Sequence, residues 1–391
     1  MNGSQAELRL RDFDISEETG FVPSSPPLAN LPEYFSRWED LARNLPTLIR
    51  ERRVREEVKG LPLLDFSEET LVSESEWRRA YVLLSFLAQA YIWVEGEGGL
   101  PDKVPEILAV PWNATACRLG MPPVITYAST VLYNWKLRDV HAPVDGNNLY
   151  AVTSFTGTED ESWFYMVALL IDHAAVPGLK AIVHAYQSLM DDDHRSLIQN
   201  LTDVQMALGC MLDVFLRMYE RCNPKVFYLK IRPFQAGSKG LEAFPTGIIY
   251  EGVDSKPKQY HGASAGQNSS VHSFDIFLGA EHTGSDAEFL HAMRHYMPSK
   301  HREFLETLAH QPSVREYVKQ SRDSKLIASY NGAVDALAKF RSEHAIMVTR
   351  YIVNQKRHSV NTSLDMRGTG GTPFMMFLKN VRDDTLALQI H

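Results

Sequence analysis

Over most of this chain apolar residues recur at spacings of three and four, the period of helices that bury one face. That spacing predicts a helix over "LPEYFSRWEDLARNLPTLIRE" (31–51), with Pro32 in the first turn, where a missing N–H is harmless. A longer helix follows in "SESEWRRAYVLLSFLAQAYIWVEG" (73–96). It is almost wholly apolar from Ala80 to Val94, so it should be buried on most sides. Further helices are predicted at 163–190, 203–222 and 271–281, then at 286–296, 300–309, 313–320 and 325–354.

Between these lie segments rich in helix breakers. Residues 1–30, ending in "FVPSSPPLAN", read as an extended arm, and "GEGGLPDKVPEILAVPWNATACRLGMPP" (96–123) carries no clear period. "VITYASTVLYNWKL" (124–137) fits helix or strand, and its neighbours favour helix. The polar run 138–162 is the best place for a domain boundary, 232–270 reads as loop, and "RGTGGTPFMMFLKNVRDD" (367–384) as a glycine-rich loop before a short helix. No internal repeat and almost no βαβ pattern occurs. The expected class is all-α, with a small helical N-terminal domain (1–154) packed on a larger helical domain (155–391).

Composition narrows the function. The 391 residues are 44% hydrophobic and 23% charged, an ordinary globular balance with enough apolar material for a large core. A net charge of -8 argues against a nucleic-acid partner, which usually demands a basic face. Three cysteines, Cys117, Cys210 and Cys222, form no CxxC pair and fit a reducing compartment. The polar start "MNGSQAELRLRDFDISEETG" has no apolar core of a signal peptide, and no apolar run reaches membrane-spanning length, so a cytoplasmic protein without a membrane partner is expected.

The chemistry-bearing residues are few. In "RSEHAIMVTRYIV" (341–353), His344 shares a helix face with Leu337, Phe340, Met347, Val348 and Tyr351. A neutral imidazole there either bonds a backbone carbonyl in the core or ligates a metal or haem iron. Without a CxxCH, any haem would be held non-covalently. His291 and His295 are four apart but lack the glutamate of HExxH, so a solvated pair is the plainer reading. Arg232, in the apolar stretch "NPKVFYLKIRPF", needs an anionic partner, either a carboxylate of the chain or that of a ligand. Arg341 and Asp275 form a second candidate buried pair. "RGTGGT" lacks the spacing of a phosphate loop, and no GxSxG elbow supports a hydrolase.

Taken together, "FDISEETGFVP", "LPEYFSRWEDLARNLPTLI", "AYIWVEGEGG", "ILAVPW", "MPPVITYASTVLYNWK", "GASAGQNSSVHSFDIFLG", "MRHYMPSKHREFLETL", "SVREYV", "RSEHAIMVTRYI" and "RGTGGT" resemble, in fixed order, the indoleamine 2,3-dioxygenase family of haem proteins. The resemblance runs along nearly the whole chain.

The resemblance implies an all-α haem b enzyme, active as Fe(II), that opens the indole C2–C3 bond of L-tryptophan with O2 to give N-formylkynurenine. It implies His344 as the iron ligand, and Arg341, Asp275 and Ser264 beside the haem. Tyr127, Thr130, Phe164, Ala168, Phe227, Arg232, Ser264, Ala265 and Thr369 would form the substrate pocket, with Arg232 on the amino-acid carboxylate and the loop of Thr369 closing over the head group. Ala168 departs from the family's pattern, which commonly has serine there, and offers neither a hydrogen bond nor a proton; no catalytic side-chain base is expected. An electron donor would keep the iron reduced. Two alternatives stand beside this: a related haem oxygenase acting on another indole, and a non-catalytic haem-binding protein on the same fold.

Overall fold

The computed structural model describes residues 8–358, 368–369 and 374–391. It is mostly helical, as expected, and its four described strands are only two or three residues long. Two large apolar clusters organise it. One is built around the helix Glu74–Trp93, with Trp38, Trp112 and Ile125 fully buried against it. That helix starts in a capping box, Ser73 accepting from the Glu76 N–H while Glu76 accepts from the Ser73 N–H. A buried ion pair binds it to the helix Ser36–Arg43: Arg79 holds both carboxylate oxygens of Glu39, at 3.0 and 2.5 Å, and reaches Thr153 at 2.7 Å.

The second cluster is a packed set of helices: Val176–Met190, His194–Leu216, Ser269–Leu278, Ser299–Ala309 and the 28-residue Ser324–Tyr351. Gly178 is what lets three of them close. A Cβ there would sit 2.8 Å from both the Ala207 methyl and the Phe274 ring.

Several elements differ from the sequence reading. The helix predicted over 31–51 breaks at Asn44, because Pro46 suits a first turn and not a helix interior. The breaker-rich stretch contains a helix after all, Glu106–Arg118, which keeps Pro111 because Leu108, Trp112 and Ala116 bury its face. The favoured helix over 124–137 is a π-helical turn, Ala128–Leu132, followed by a strand, Trp135–Leu137, that pairs antiparallel with Leu149–Ala151. The arm is not loose: Leu8, Leu10, Phe13, Ile15 and Phe21 enter the second cluster, far along the chain from it. Where no membrane-length run was expected, the bent run Glu159–Met190 is long and apolar enough to cross one; 67% of its apolar window is buried by the rest of the chain.

Candidate functional site

A cavity of about 320 Å³ lies between the two clusters, within the size range of small-molecule sites. Both π-helical turns border it. Ala128–Leu132 presents Thr130 and Val131, with Tyr127 just before it. Phe227–Ile231 presents Phe227, with Arg232 just after it. Extra residues in a helical turn re-aim side chains that an ordinary helix would spread around its surface, and such turns are frequent at functional sites.

Every residue the sequence singled out for the site reaches this one cavity. Phe164 and Phe227 meet with ring centroids 4.8 Å apart, and Ala168 lies one turn beyond Phe164. Arg232 is 2% exposed, with its guanidinium over the Tyr228 ring at 5.3 Å. Ser264 caps a short turn by accepting the Gly266 N–H at 3.2 Å, with Ala265 between them. Thr369 is seated by its hydroxyl, which donates to the Ala263 carbonyl at 2.7 Å. The rest of the glycine-rich segment, Arg367 and Gly370 to Thr372, lies outside the described residues.

His344 faces the same cavity from the helix Ser324–Tyr351. Phe215 packs edge-on against its ring, centroids 5.8 Å apart. Burial, reinforced by the charge of Arg341, lowers its pKa to about 4, so the ring is neutral. Among the described residues neither ring nitrogen has a hydrogen-bond partner. The bland reading, a core histidine tied to a carbonyl, therefore finds no support there.

Beside it, Arg341 grips both oxygens of Asp275, at 2.5 and 2.6 Å, and also bonds the Val381 carbonyl and the Thr385 hydroxyl of the helix Phe374–Leu386. His282 lies beside this group, with Nε2 4.0 Å from Asp275 and Nδ1 2.8 Å from Asp384. His272 also borders the cavity, but its ring is occupied: Nε2 lies 2.8 Å from the Gly266 carbonyl and Nδ1 accepts from Arg294 at 3.5 Å. Burial lowers its pKa to about 4.

The sequence reading missed a polar layer behind the wall. Asp172, 1% exposed, accepts from the Tyr127 hydroxyl at 2.6 Å, Asn268 at 2.8 Å and Ser270 at 2.6 Å. Burial pushes its pKa up to about 6 against those three bonds. Its signal was available: a lone acidic residue in the apolar run "VALLIDHAAV". Gln235, three residues beyond Arg232 and also in the cavity wall, was missed as well.

What can such a site hold? Among the described residues no three histidine, cysteine, aspartate or glutamate side chains gather to bind a metal ion. His291 and His295, rings 5.6 Å apart, are an exposed pair. A single neutral imidazole with an uncommitted nitrogen in an apolar chamber suits a metal that brings its other ligands with it, which is how haem iron is held. The donor set fits a haem.

A family model described as indoleamine 2,3-dioxygenase matches residues 9–388. The chain belongs to the indoleamine 2,3-dioxygenase family. It is similar to indoleamine 2,3-dioxygenase 2 of Mus musculus, 38% identical over 98% of this chain and 96% of that one. A protein named myoglobin from Haliotis madaka is 34% identical over 98% of this chain and 100% of its own length. A 6-hydroxytryptophan 2,3-dioxygenase of Fusarium equiseti is 34% identical over 96% of this chain and 97% of its own. Family membership makes this protein a haem-dependent oxidoreductase that uses O2 on indoles.

Proposed function

We propose that this protein opens the C2–C3 bond of the indole ring of L-tryptophan, with both oxygen atoms of O2 inserted to give N-formylkynurenine. The cofactor is haem b, active as Fe(II), with His344 as its ligand and an external electron donor. The observation that carries the reading is the convergence on one cavity of the His344 ring, whose nitrogens have no hydrogen-bond partner among the described residues, the buried Arg232 and the Phe164–Phe227 pair.

Bound haem supplies the redox chemistry that activates O2. The chain supplies position and dryness. Phe164 and Phe227 offer flat π-rich faces to an indole. Arg232 binds the amino-acid carboxylate through charge-assisted bonds, strengthened because water is excluded around it. Tyr127, Thr130, Ala168, Ser264 and Ala265 complete the substrate walls, and Thr369 lies over the head group. Arg341, Asp275 and Ser264 hold the haem edge. No side chain acts as base: Ala168 has no ionisable group, the ring of His272 is committed, and the Asp172 carboxyl lies behind Tyr127. We place the small domain at 1–154 and the haem domain at 155–391, in a cytoplasmic protein; the net charge of -8 supports the absence of a nucleic-acid partner.

The test is direct. Haem-loaded, reduced protein is given L-tryptophan and O2 while product absorbance and the Soret band are followed. N-formylkynurenine with a histidine-ligated spectrum supports the reading, and His344→Ala should lose haem while keeping its helical content. The relative named a myoglobin favours a second reading, a haem protein without oxygenase turnover. A normal Soret band with no indole-dependent O2 uptake would select it. The relative named for 6-hydroxytryptophan makes that indole the next substrate to try.

A further inference from the structure

Arg232 and Gln235 occupy the two ends of one tight 3-10 turn, where residues three apart eclipse and share a side. Both line the cavity, and Gln235 is 3% exposed. Its amide is held by a relay. Nε2 donates to the Tyr165 hydroxyl oxygen at 2.8 Å, and that hydroxyl donates to Glu161 at 3.0 Å. Glu161 also accepts the backbone N–H groups of Phe155 and Thr156, at 2.9 and 2.7 Å, and the Thr156 hydroxyl at 2.6 Å.

Backbone N–H groups cannot reverse their role. They hold Glu161 as an acceptor, so Tyr165 gives its proton to Glu161 and presents a lone pair to the amide. Only the NH2 end of Gln235 can meet that lone pair. The relay thus decides the orientation of the amide and leaves its carbonyl oxygen, Oε1, on the other side. Among the described residues Oε1 has no hydrogen-bond partner.

The wall around it offers little else to a polar ligand. The Thr130 hydroxyl donates to the Thr126 carbonyl at 2.9 Å, and that of Tyr127 donates to Asp172. Phe164, Val131 and Ala168 are apolar. A buried acceptor in such a wall must be met by a water or by a ligand donor, and a ligand without one leaves it desolvated and unpaired.

On the reading that the site binds an indole, we propose that Gln235 is a specificity-determining residue whose Oε1 accepts a hydrogen bond from the edge of the bound indole ring. The donor is the ring N–H or a ring hydroxyl. The pocket then selects indoles by a polar ring edge as well as by apolar fit. Sites built to hydrogen-bond a substrate group discriminate strongly against analogues that lack it.

The experiment compares wild type with Gln235→Leu, close in volume and without an acceptor. The probes are L-tryptophan, 5-hydroxy-L-tryptophan, 6-hydroxy-L-tryptophan and 1-methyl-L-tryptophan, which has no ring donor. Affinity is measured by calorimetry on the haem-loaded protein and kcat/KM by product formation. Gln235→Leu should weaken the best donor-bearing indole about 10-fold or more and leave 1-methyl-L-tryptophan unchanged or tighter. The pattern across the three donor-bearing probes tells the ring N–H from a hydroxyl. Tyr165→Phe, which frees the amide without altering the wall, should soften the same preference. An equal loss on all four probes, a loss on none, or no binding of any by wild type overturns the proposal. Binding without turnover of any indole defeats the oxygenase reading alone, because calorimetric selectivity still decides the role of Gln235.

Discussion

Gly237 and Gly262 cross with their backbones in contact. A Cβ on Gly262 would stand 2.3 Å from the Gly237 nitrogen and 2.1 Å from the Gln235 carbonyl oxygen. Both glycine N–H groups point at one acceptor, the Thr369 carbonyl, at 3.4 and 3.3 Å. The crossing is the seat of Thr369. Gly262→Ala should therefore displace both the Thr369 seat and the turn carrying Arg232 and Gln235. Overpacking of this kind costs about 1–3 kcal/mol. Thermal unfolding should show that loss, with a raised KM for the indole; an unchanged KM would separate the crossing from the site.

The Arg341–Asp275 pair predicts a sharp asymmetry. Asp275→Ala leaves the buried guanidinium without its counter-charge, with only the Val381 carbonyl and the Thr385 hydroxyl as acceptors, a loss that typically costs about 3–5 kcal/mol. Removing both charges, with Asp275→Leu and Arg341→Met, should recover much of that stability. A double-mutant cycle on the thermal midpoint reads this, and the Soret intensity reads haem retention separately. If the double variant is stable but retains haem poorly, the pair serves the cofactor more than the fold.

Asp172 links stability to pH. Its carboxyl is held up near 6 by burial, above its ordinary value of 3.8, so the folded chain keeps a proton there that the unfolded chain has released. Stability from this group is complete below about pH 4 and falls as pH rises through about 6, by up to about 3 kcal/mol. Asp172→Asn cannot titrate. Its stability relative to wild type should improve between pH 4.5 and pH 7, measured by denaturant or thermal unfolding. A difference that does not vary with pH would refute this.

His301 should act in the opposite direction. It is 4% exposed, packs against Phe21 with ring centroids 4.8 Å apart, and burial with the charge of Arg78 lowers its pKa to about 3. The unfolded chain takes up a proton below about pH 6.5, and the folded one does not. Stability is therefore present at neutral pH and lost on acidification, about 2 kcal/mol between pH 7 and pH 5. His301→Leu should be less acid-sensitive than wild type. Because Phe21 belongs to the N-terminal arm, proteolysis of the arm at pH 5 should slow in the variant.

The helix of His344 was legible because its apolar stripe persists over 28 residues and nothing in it competes. Glu106–Arg118 was hidden by Pro105 and Pro111, whose local preference is overridden by burial of Leu108 and Trp112. The π-helical turns at Ala128–Leu132 and Phe227–Ile231 leave no periodic mark, since each departs from regular spacing for a single turn. The pocket set was named through family resemblance, because residues from Tyr127 to Thr369 meet only in three dimensions. Gln235 and Asp172 escaped for another reason: a polar residue reveals its partners only when the fold brings them near.

The cavity draws its walls from Tyr127, well inside the sequence, to Val381 near residue 391, and Phe374, Phe377 and Leu378 close one side. The acceptors of Arg341 at Val381 and Thr385 come from that same last helix. A chain still emerging from the ribosome cannot have this chamber, however well its first helices have packed. A chain cut before Phe374 would lack this wall and both of those acceptors of Arg341, and should hold haem weakly.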